Sequence, residues 1–162
     1  WEDEEKKIAL IHDWEERQNY IIRQSTHKTA HKHVLAANID LAMIIVTITL
    51  PRTSLGFLDR FLVSAESHGV PALIVFNKSD LWGDSEREYV GELMRLYQQL
   101  GYSCLAISAL TDAGLAELKV ILTGKKTLIA GHSGVGKSTL INGLIPTVHQ
   151  QTKEVSTFAN KG

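Results

Sequence analysis

Short apolar runs alternate along the chain with longer stretches in which apolar residues recur every three or four positions. The runs lack the polar alternation of half-exposed strands, so they predict strands buried on both faces, at 41–48, 72–76, 103–107 and 126–130. The recurring stretches predict amphipathic helices. Strands that alternate with helices favour right-handed crossovers, and we therefore predict a three-layer α/β fold with a mostly parallel sheet.

Capping residues and apolar spacing predict where the helices lie. Thr53 or Ser54 would cap the first helix, Ser85 would cap the second, and Gly101 would end it. The last helix would run over Lys137–Leu144. The residues expected on the buried helix faces are Leu55, Leu58, Phe61 and Leu62 in the first helix, Val90, Leu93, Met94, Tyr97 and Leu100 in the second, and Leu115, Leu118 and Leu122 in the third.

The two ends of the chain do not follow this pattern. Residues 1–33 are polar, with short apolar runs at 8–11 and 20–22 that predict strands, and they end in the basic stretch RQSTHKTAHKH. Residues 147–162 are polar and have no period. We therefore divide the chain into a segment over 1–33 and a domain over 34–162.

The composition is that of a soluble globular protein, with 44% apolar residues, 22% charged residues and a net charge of −1. Nothing global therefore requires nucleic acid or a membrane, and the longest apolar run, 41–50, is too short to span a bilayer. The single cysteine, Cys104, is expected to be an inert core residue and indicates a reducing, cytoplasmic compartment. The chain begins without methionine, and we expect both ends to be cut.

The stretch GHSGVGKST at 131–139 follows a predicted strand and precedes a predicted helix. Gly131, Gly136, Lys137 and Ser138 satisfy the pattern G-x-x-x-x-G-K-[ST] of a phosphate-binding loop. The glycines let backbone N–H groups turn towards a phosphate, and the helix adds its positive N-terminal end. Lys137 should reach the β- and γ-phosphates, and the Ser138 hydroxyl should hold Mg²⁺.

The stretch NKSD at 77–80 follows the second strand and points to guanine. The Asp80 carboxylate can accept two hydrogen bonds from the N1–H and amino groups of guanine, whereas adenine offers no such pair. A carboxylate left unpaired against adenine would cost several kcal/mol. Lys78 would lay its aliphatic stem along the base, and Asn77 would tie this loop to the phosphate loop.

The stretch SAL at 108–110 ends the third strand, and its backbone N–H groups could bind guanine O6. All three stretches follow strands of one parallel sheet, so they should meet at its carboxyl edge. Within the phosphate loop, His132 is expected to face solvent, Ser133 to lend a backbone N–H, and Gly134 gives no support for a potassium site. The predicted nucleotide-binding residues are Asn77, Lys78, Ser79, Asp80, Ser108, Ala109, Leu110, Gly131, His132, Ser133, Gly134, Val135, Gly136, Lys137, Ser138 and Thr139.

The order of these motifs corresponds to a circular permutation, because Ras-like GTPases begin with the phosphate loop and here it comes last. The strand before that loop should still lie beside strand 41–48, with 72–76 and 103–107 further out. The stretches HVLAANIDLAMIIVT, PRTSLGFLDRFL, IVFNKSDL, ISALT and GHSGVGKSTLIN cover most of 33–145. In combination they resemble the circularly permuted GTPases that act in late maturation of the small ribosomal subunit, the RsgA or YjeQ family.

The resemblance implies an OB-fold whose end and basic linker would be 1–33, a permuted GTPase domain over 34–162, and a zinc-binding domain. It also implies GTP or GDP and Mg²⁺ as ligands. No Cys/His cluster with zinc spacing follows residue 145, so zinc is expected only in a domain outside this chain. The switch threonines and the D-x-x-G motif are also missing. We therefore expect nucleotide binding with little or no hydrolysis, in which Lys137 stabilises phosphate and the other catalytic residues are unknown.

The partners implied by the resemblance are the small ribosomal subunit and its rRNA, for a cytoplasmic monomer that needs no membrane. Arg23, Lys28 and Lys32 in the basic stretch could contact rRNA phosphates, and a solvated linker is the alternative. Two other functions stay open at this point. One is a P-loop kinase or ATPase, which would give no role to Asp80, and the other is a non-catalytic module that binds guanine nucleotide.

Overall fold

The computed structural model describes residues 2–3, 8–9, 11–24, 32–145 and 147. Its central element is a parallel sheet formed by β5 (Leu41–Val46), β6 (Ala72–Phe76), β7 (Ser103–Ala106) and β8 (Thr127–Ala130). The helices are α1 (Leu55–Ser67), α2 (Asp84–Gln99), α3 (Leu115–Leu122) and α4 (Lys137–Leu144), and Ser79–Leu81 forms a 3₁₀ turn. None of the described helices is long and apolar enough to cross a membrane.

The strand order confirms the permuted arrangement expected from the sequence. Among the described residues the sheet has the order β7-β6-β5-β8, so the strand before the glycine loop lies beside β5. Ile44 of β5 is aligned with Ile74 of β6 on one side and with Ala130 of β8 on the other. The carboxyl ends of β6, β7 and β8 therefore open at the same edge, which places the segments that follow them side by side.

Successive residues of the central strands point to opposite faces, and each face packs against two helices. Met43, Ile45 and Val75 face a core that α3 and α4 close with Leu118 and Leu140. The other face carries a second core whose buried members are Ile44, Val46, Ile74, Phe76, Leu58, Leu62, Val90, Leu93 and Tyr97. This two-sided burial explains why the strands read as continuous apolar runs in the sequence.

The N-terminal part forms antiparallel strand pairs, the β-structure expected before the α/β fold. β1 (Glu2–Asp3) pairs with β2 (Ile8–Ala9), and β3 (Tyr20–Gln24) pairs with β4 (Lys32–Ala37). Ile21 of β3 is buried against Ile39, Ala42, Ala65 and Val70, which fastens the second pair to α1 and the sheet. The β4 strand continues across the proposed boundary between residues 33 and 34, and most of the polar tail at 147–162 lies outside the described residues.

Several predicted boundaries shift, for local reasons. Ser54 caps α1 as expected, because its hydroxyl accepts from the Phe57 N–H. Ser85 does not cap α2; Gly83 does, and the Glu86 carboxylate accepts the Gly83 N–H at 3.1 Å. β5 ends at Val46 instead of residue 48, since Thr47 and Thr53 exchange hydrogen bonds that turn the chain out of the sheet.

Strand and helix margins differ from the sequence expectation in smaller ways. β7 ends one residue earlier and β8 begins one residue later than predicted. Leu55 and Leu100, which were predicted to be buried, are 40% and 63% exposed. Both predictions were wrong because these residues lie at or beyond a helix end, where the apolar stripe no longer faces the sheet.

The Cys104 thiol lies half-buried on β7, against the core beneath α2. Burial raises its pKa to about 11, because the apolar surroundings disfavour the thiolate. The expectation of an unreactive core cysteine fits this environment.

We expect Cys104 to react slowly with thiol reagents in the folded protein. A free thiol ionises near pH 8.5, so a folded-state pKa of about 11 leaves far less thiolate at pH 8. Labelling with a chromogenic disulfide at pH 8 should be at least tenfold slower in native protein than in urea, and the native rate should keep rising up to about pH 11. Equal native and denatured rates would contradict the burial of this thiol.

Candidate nucleotide-binding site

Three loops meet at the carboxyl edge of the sheet and enclose a cleft. NKSD follows β6, SAL follows β7, and the glycine loop follows β8. The cleft has a volume of about 250 Å³, and its lining residues are Asn77, Lys78, Asp80, Leu81, Ala109, Leu110, Gly136 and Thr139. A larger cavity of about 360 Å³ lies between α1 and α2 on the other face of the sheet and contains none of the motif residues. Chemistry, not volume, therefore identifies the site.

The buried Asn77 side chain joins the three loops. Its Nδ2 donates to the Val135 carbonyl of the glycine loop at 2.8 Å, and its Oδ1 accepts the Ala109 N–H of SAL at 3.0 Å. Only 2% of Asn77 is exposed, so both ends of the amide are satisfied inside the protein. The predicted tie between NKSD and the phosphate loop is confirmed, and it extends to the third motif.

The Asp80 carboxylate is held by Ser108. The Ser108 hydroxyl donates to Asp80 Oδ1 at 2.5 Å and accepts the Thr111 N–H at 3.2 Å. Ser108 is fully buried whereas Asp80 is exposed, so the carboxylate faces the open side of the cleft. The sequence analysis assigned a role only to the Ser108 backbone and missed this role of the side chain.

The expectation for the SAL backbone is wrong in part. The Ser108 N–H donates to the Ala113 carbonyl and the Ala109 N–H donates to Asn77, so neither is free for a ligand. In the described part of the chain, Leu110 N–H has no such partner. Leu110 and Leu81 are 76% and 54% exposed at the cleft, and Leu81 is a lining residue that the sequence analysis did not select.

Lys78 connects the cleft to the loop after β5. The residue has a left-handed backbone conformation, with φ of 68°, and its Nζ donates to the Leu50 carbonyl. Burial lowers the pKa of the Lys78 ammonium, and the nearby Asp80 charge acts in the opposite direction. Ser79 is not in the cleft lining; its N–H donates to the Ile107 carbonyl at 3.0 Å and closes the end of β7.

The glycine loop needs glycine at two positions. Gly131 and Gly136 have φ of 148° and 97°, in a region that residues with a side chain rarely adopt. A Cβ on Gly131 would lie 2.6 Å from the Ile45 carbonyl oxygen, and one on Gly136 would lie 2.4 Å from Asn77 Nδ2. Val135 between them is fully buried in the core and fixes this side of the loop.

Lys137 begins α4 and its side chain folds over the loop. Its Nζ donates to the carbonyls of Gly131 at 2.7 Å and His132 at 2.5 Å, and burial lowers the pKa of the ammonium. Ser138 follows on α4, and its hydroxyl has no hydrogen-bond partner among the residues that the structure describes. Within that same part of the chain, no group of three or more His, Cys, Asp or Glu could hold a metal ion.

His132 is exposed, as predicted, and it also makes a ring contact that the sequence analysis did not foresee. Its imidazole stacks on the Phe57 ring of α1, with centroids 4.0 Å apart and planes at 35°. Sequence reasoning missed Phe57 because nothing in its helical spacing marks it as a neighbour of residue 132. Ser133 is exposed, and Gly134 has φ of 82°.

The structure places two of the three basic residues that were expected to meet rRNA. Arg23 and Lys32 lie on the paired strands β3 and β4, where Arg23 is aligned with His33 and Lys32 with Gln24. Lys28 lies outside the described residues.

Comparison with known proteins indicates the same protein family as the motifs do. The family model described as RsgA GTPase matches residues 14–162. A Bacteroides fragilis protein named small ribosomal subunit biogenesis GTPase RsgA is 49% identical over 154 residues, which cover 95% of this chain and 50% of that protein. A Cytophaga hutchinsonii protein of the same name is 51% identical over 134 residues, covering 83% of this chain and 44% of the relative.

Two solved structures share the fold. YjeQ from Thermotoga maritima has a TM-score of 0.75 and 34% identity, with 94% of this chain and 51% of that one covered. YloQ, described as a circularly permuted GTPase, has a TM-score of 0.60 and 28% identity, with 80% and 50% covered. The chain spans about half the length of the relatives it matches. With the permuted strand order and all three motifs in place, the chain belongs to the RsgA GTPase family.

Proposed function

We propose that this chain binds GTP and GDP in the cleft formed by NKSD, SAL and the glycine loop, and that GTP is hydrolysed by the longer protein, since the chain spans about half the length of its relatives. The observation that carries the proposal is the Asn77 side chain, which bonds to both the glycine loop and SAL. A base subsite and a phosphate subsite thereby lie at a fixed distance, as a nucleotide requires. The RsgA GTPase names of the relatives support the choice of GTP.

The base subsite suits guanine. Asp80 Oδ1 receives the Ser108 hydroxyl, and the exposed carboxylate keeps acceptor capacity for the N1–H and amino groups of the base. The exposed Leu81 and Leu110 side chains supply apolar walls that a base would cover. Within the part of the chain that the structure describes, the Leu110 N–H is the SAL backbone donor without an internal acceptor, so we assign it to O6. A P-loop kinase or ATPase binds adenine, which offers no donor pair for Asp80. That alternative therefore gives the Asp80 carboxylate, held by Ser108, no part in recognising the base.

The phosphate subsite suits a polyphosphate with Mg²⁺. The glycine conformations turn the loop backbone towards the cleft, α4 presents its N-terminal end, and Lys137 supplies a cation. The Ser138 hydroxyl fits a Mg²⁺ ligand because it carries no internal hydrogen bond in the described structure. Bound Mg²⁺ would neutralise phosphate charge, while Lys137 and the loop N–H groups would orient the phosphates.

The partner we propose is the small ribosomal subunit, because relatives of 49% and 51% identity are named small ribosomal subunit biogenesis GTPases. Arg23, Lys28 and Lys32 fall on or between β3 and β4, so we propose this strand pair as the rRNA contact. We further propose a monomer that acts in the cytoplasm, where small subunits mature.

Asp80→Asn should abolish the preference for guanine nucleotides. Asparagine keeps an oxygen for Ser108 but loses the charge that the guanine donors need, so GDP binding should weaken about 10- to 100-fold. Competition between labelled GDP and unlabelled GDP, IDP and ADP measures the change. Asp84→Asn, at an exposed position in the first turn of α2, is the control and should bind like the wild type. An Asp80→Asn protein with unchanged GDP preference would refute the base assignment.

Gly136→Ala should remove nucleotide binding. The added methyl group would overlap Asn77 Nδ2, so the bond that joins the loops must break. Gly124→Ala is the matched control: Gly124 has φ of 71°, yet a Cβ there meets no atom within 4 Å. Both variants should lose about 1–2 kcal/mol of unfolding free energy from the strained backbone. Gly136→Ala should lose more, because it also breaks the buried Asn77 bond, and it alone should lose GDP binding in calorimetry. Normal binding by Gly136→Ala would count against this site.

Purified small ribosomal subunits should raise the rate of GTP hydrolysis by the full-length protein, whereas large subunits should not. The expected stimulation is at least tenfold, in phosphate-release assays at fixed Mg²⁺ and salt, because a subunit that fixes the groups around the phosphates and the attacking water stabilises the transition state directly. Asp80→Asn provides the background rate. Equal rates with either subunit would contradict the proposed partner.

A further inference from the structure

The glycine loop has side-chain anchors at two points. Val135 is fully buried in the core and fixes the end of the loop nearest α4. At the other end, His132 stacks on Phe57 with ring centroids 4.0 Å apart. Between these residues, Ser133 is exposed and Gly134 has no side chain. In the described structure, the end of the loop that follows β8, its entry side, is therefore held by this ring contact and by the Lys137 hydrogen bonds to the Gly131 and His132 carbonyls.

Phe57 is a rigid platform for that contact. It lies in the first turn of α1, where its N–H donates to the Ser54 carbonyl at 3.1 Å and to the Ser54 hydroxyl at 3.4 Å. The next residue, Leu58, is 1% exposed, and Leu62 one turn later is 2% exposed. Because α1 is fixed to the core on this side, Phe57 cannot follow the loop if the loop moves.

Lys137 makes this contact more important when a nucleotide is bound. In the structure, the Lys137 Nζ donates to the carbonyls of Gly131 and His132, and these two hydrogen bonds restrain the same entry side of the loop. If Lys137 reaches phosphates, as in the proposed function on which this inference rests, those two bonds are lost. The stack of His132 on Phe57 then stays as the side-chain restraint there.

We propose that Phe57 is a positioning residue for the phosphate loop. Through its ring contact with His132 it holds the loop so that the N–H groups of residues 132–136 aim at the phosphates. Phe57 itself touches neither nucleotide nor metal. Aromatic pairs of this kind are worth a modest free energy, so losing the contact should weaken nucleotide binding about three- to tenfold.

The first test compares two phenylalanines of one helix. Phe57→Ala should weaken GDP binding about three- to tenfold. Phe61→Ala, one turn further along α1, removes a partly buried ring that packs on the helix cores and makes no ring contact with the glycine loop. It should lower Tm at least as much without changing the Kd for GDP. The GDP-to-IDP affinity ratio should stay at the wild-type value in both variants, because base recognition is untouched.

The second test measures coupling. His132→Ala should weaken binding like Phe57→Ala, and the double variant should be little worse than either single variant, because both remove the same contact. Phe57→Tyr keeps a ring on His132 and should restore the wild-type Kd. Additive losses, a wild-type Kd for Phe57→Ala, or an equal loss in Phe61→Ala would each overturn the proposal.

A nucleotide-free measurement separates this inference from the proposed function. In spectra of the ligand-free protein, Phe57→Ala should shift the amide resonances of residues 131–136, and Phe61→Ala should leave them in place. If the wild-type protein bound no guanine nucleotide, the proposed function would fail and these spectra alone would decide the role of Phe57. Unshifted loop resonances in Phe57→Ala would overturn it.

Discussion

The site depends on one buried amide. Asn77 leaves the end of β6, and its side chain bonds to the glycine loop on one side and to SAL on the other. Both partners are backbone groups, so the amide fixes where two loops run as well as where its own side chain lies. An amide buried with both ends satisfied is costly to disturb, because each lost partner would leave a desolvated polar group. The cleft keeps its shape because these three loops cannot move independently.

This arrangement also explains why the permuted order of the motifs does not matter to the chemistry. Parallel strands deliver their following loops to one edge whatever order the chain takes through them. The sheet order β7-β6-β5-β8 brings the end of β8 to the end of β6 across only one intervening strand, β5. That separation is short enough for an asparagine side chain, together with the Val135 carbonyl, to close the gap.

The sequence predicted what depends on local or periodic signals. The apolar runs revealed the strands, and the spacing of the glycines, Lys137 and Ser138 revealed the phosphate loop, because both patterns are complete within a few residues. The sequence did not predict contacts between residues that lie far apart along the chain. The Ser108 and Ala109 N–H groups donate to the Ala113 carbonyl and to Asn77 Oδ1, and the exposed His132 has an unforeseen ring contact with Phe57 of α1. The α2 cap was missed because Glu86 can serve Gly83 from three residues away, which makes a serine cap unnecessary.

The folded-back position of Lys137 has a consequence for the strength of ligand capture. The Lys137 ammonium already donates to two carbonyl oxygens of the loop, so its charge is hydrogen-bonded within the protein. An arriving phosphate therefore exchanges one set of acceptors for another, and only the difference between the two sets adds to affinity. A loop that satisfies its own cation in this way gains less affinity from its lysine than a loop whose lysine has no internal acceptor.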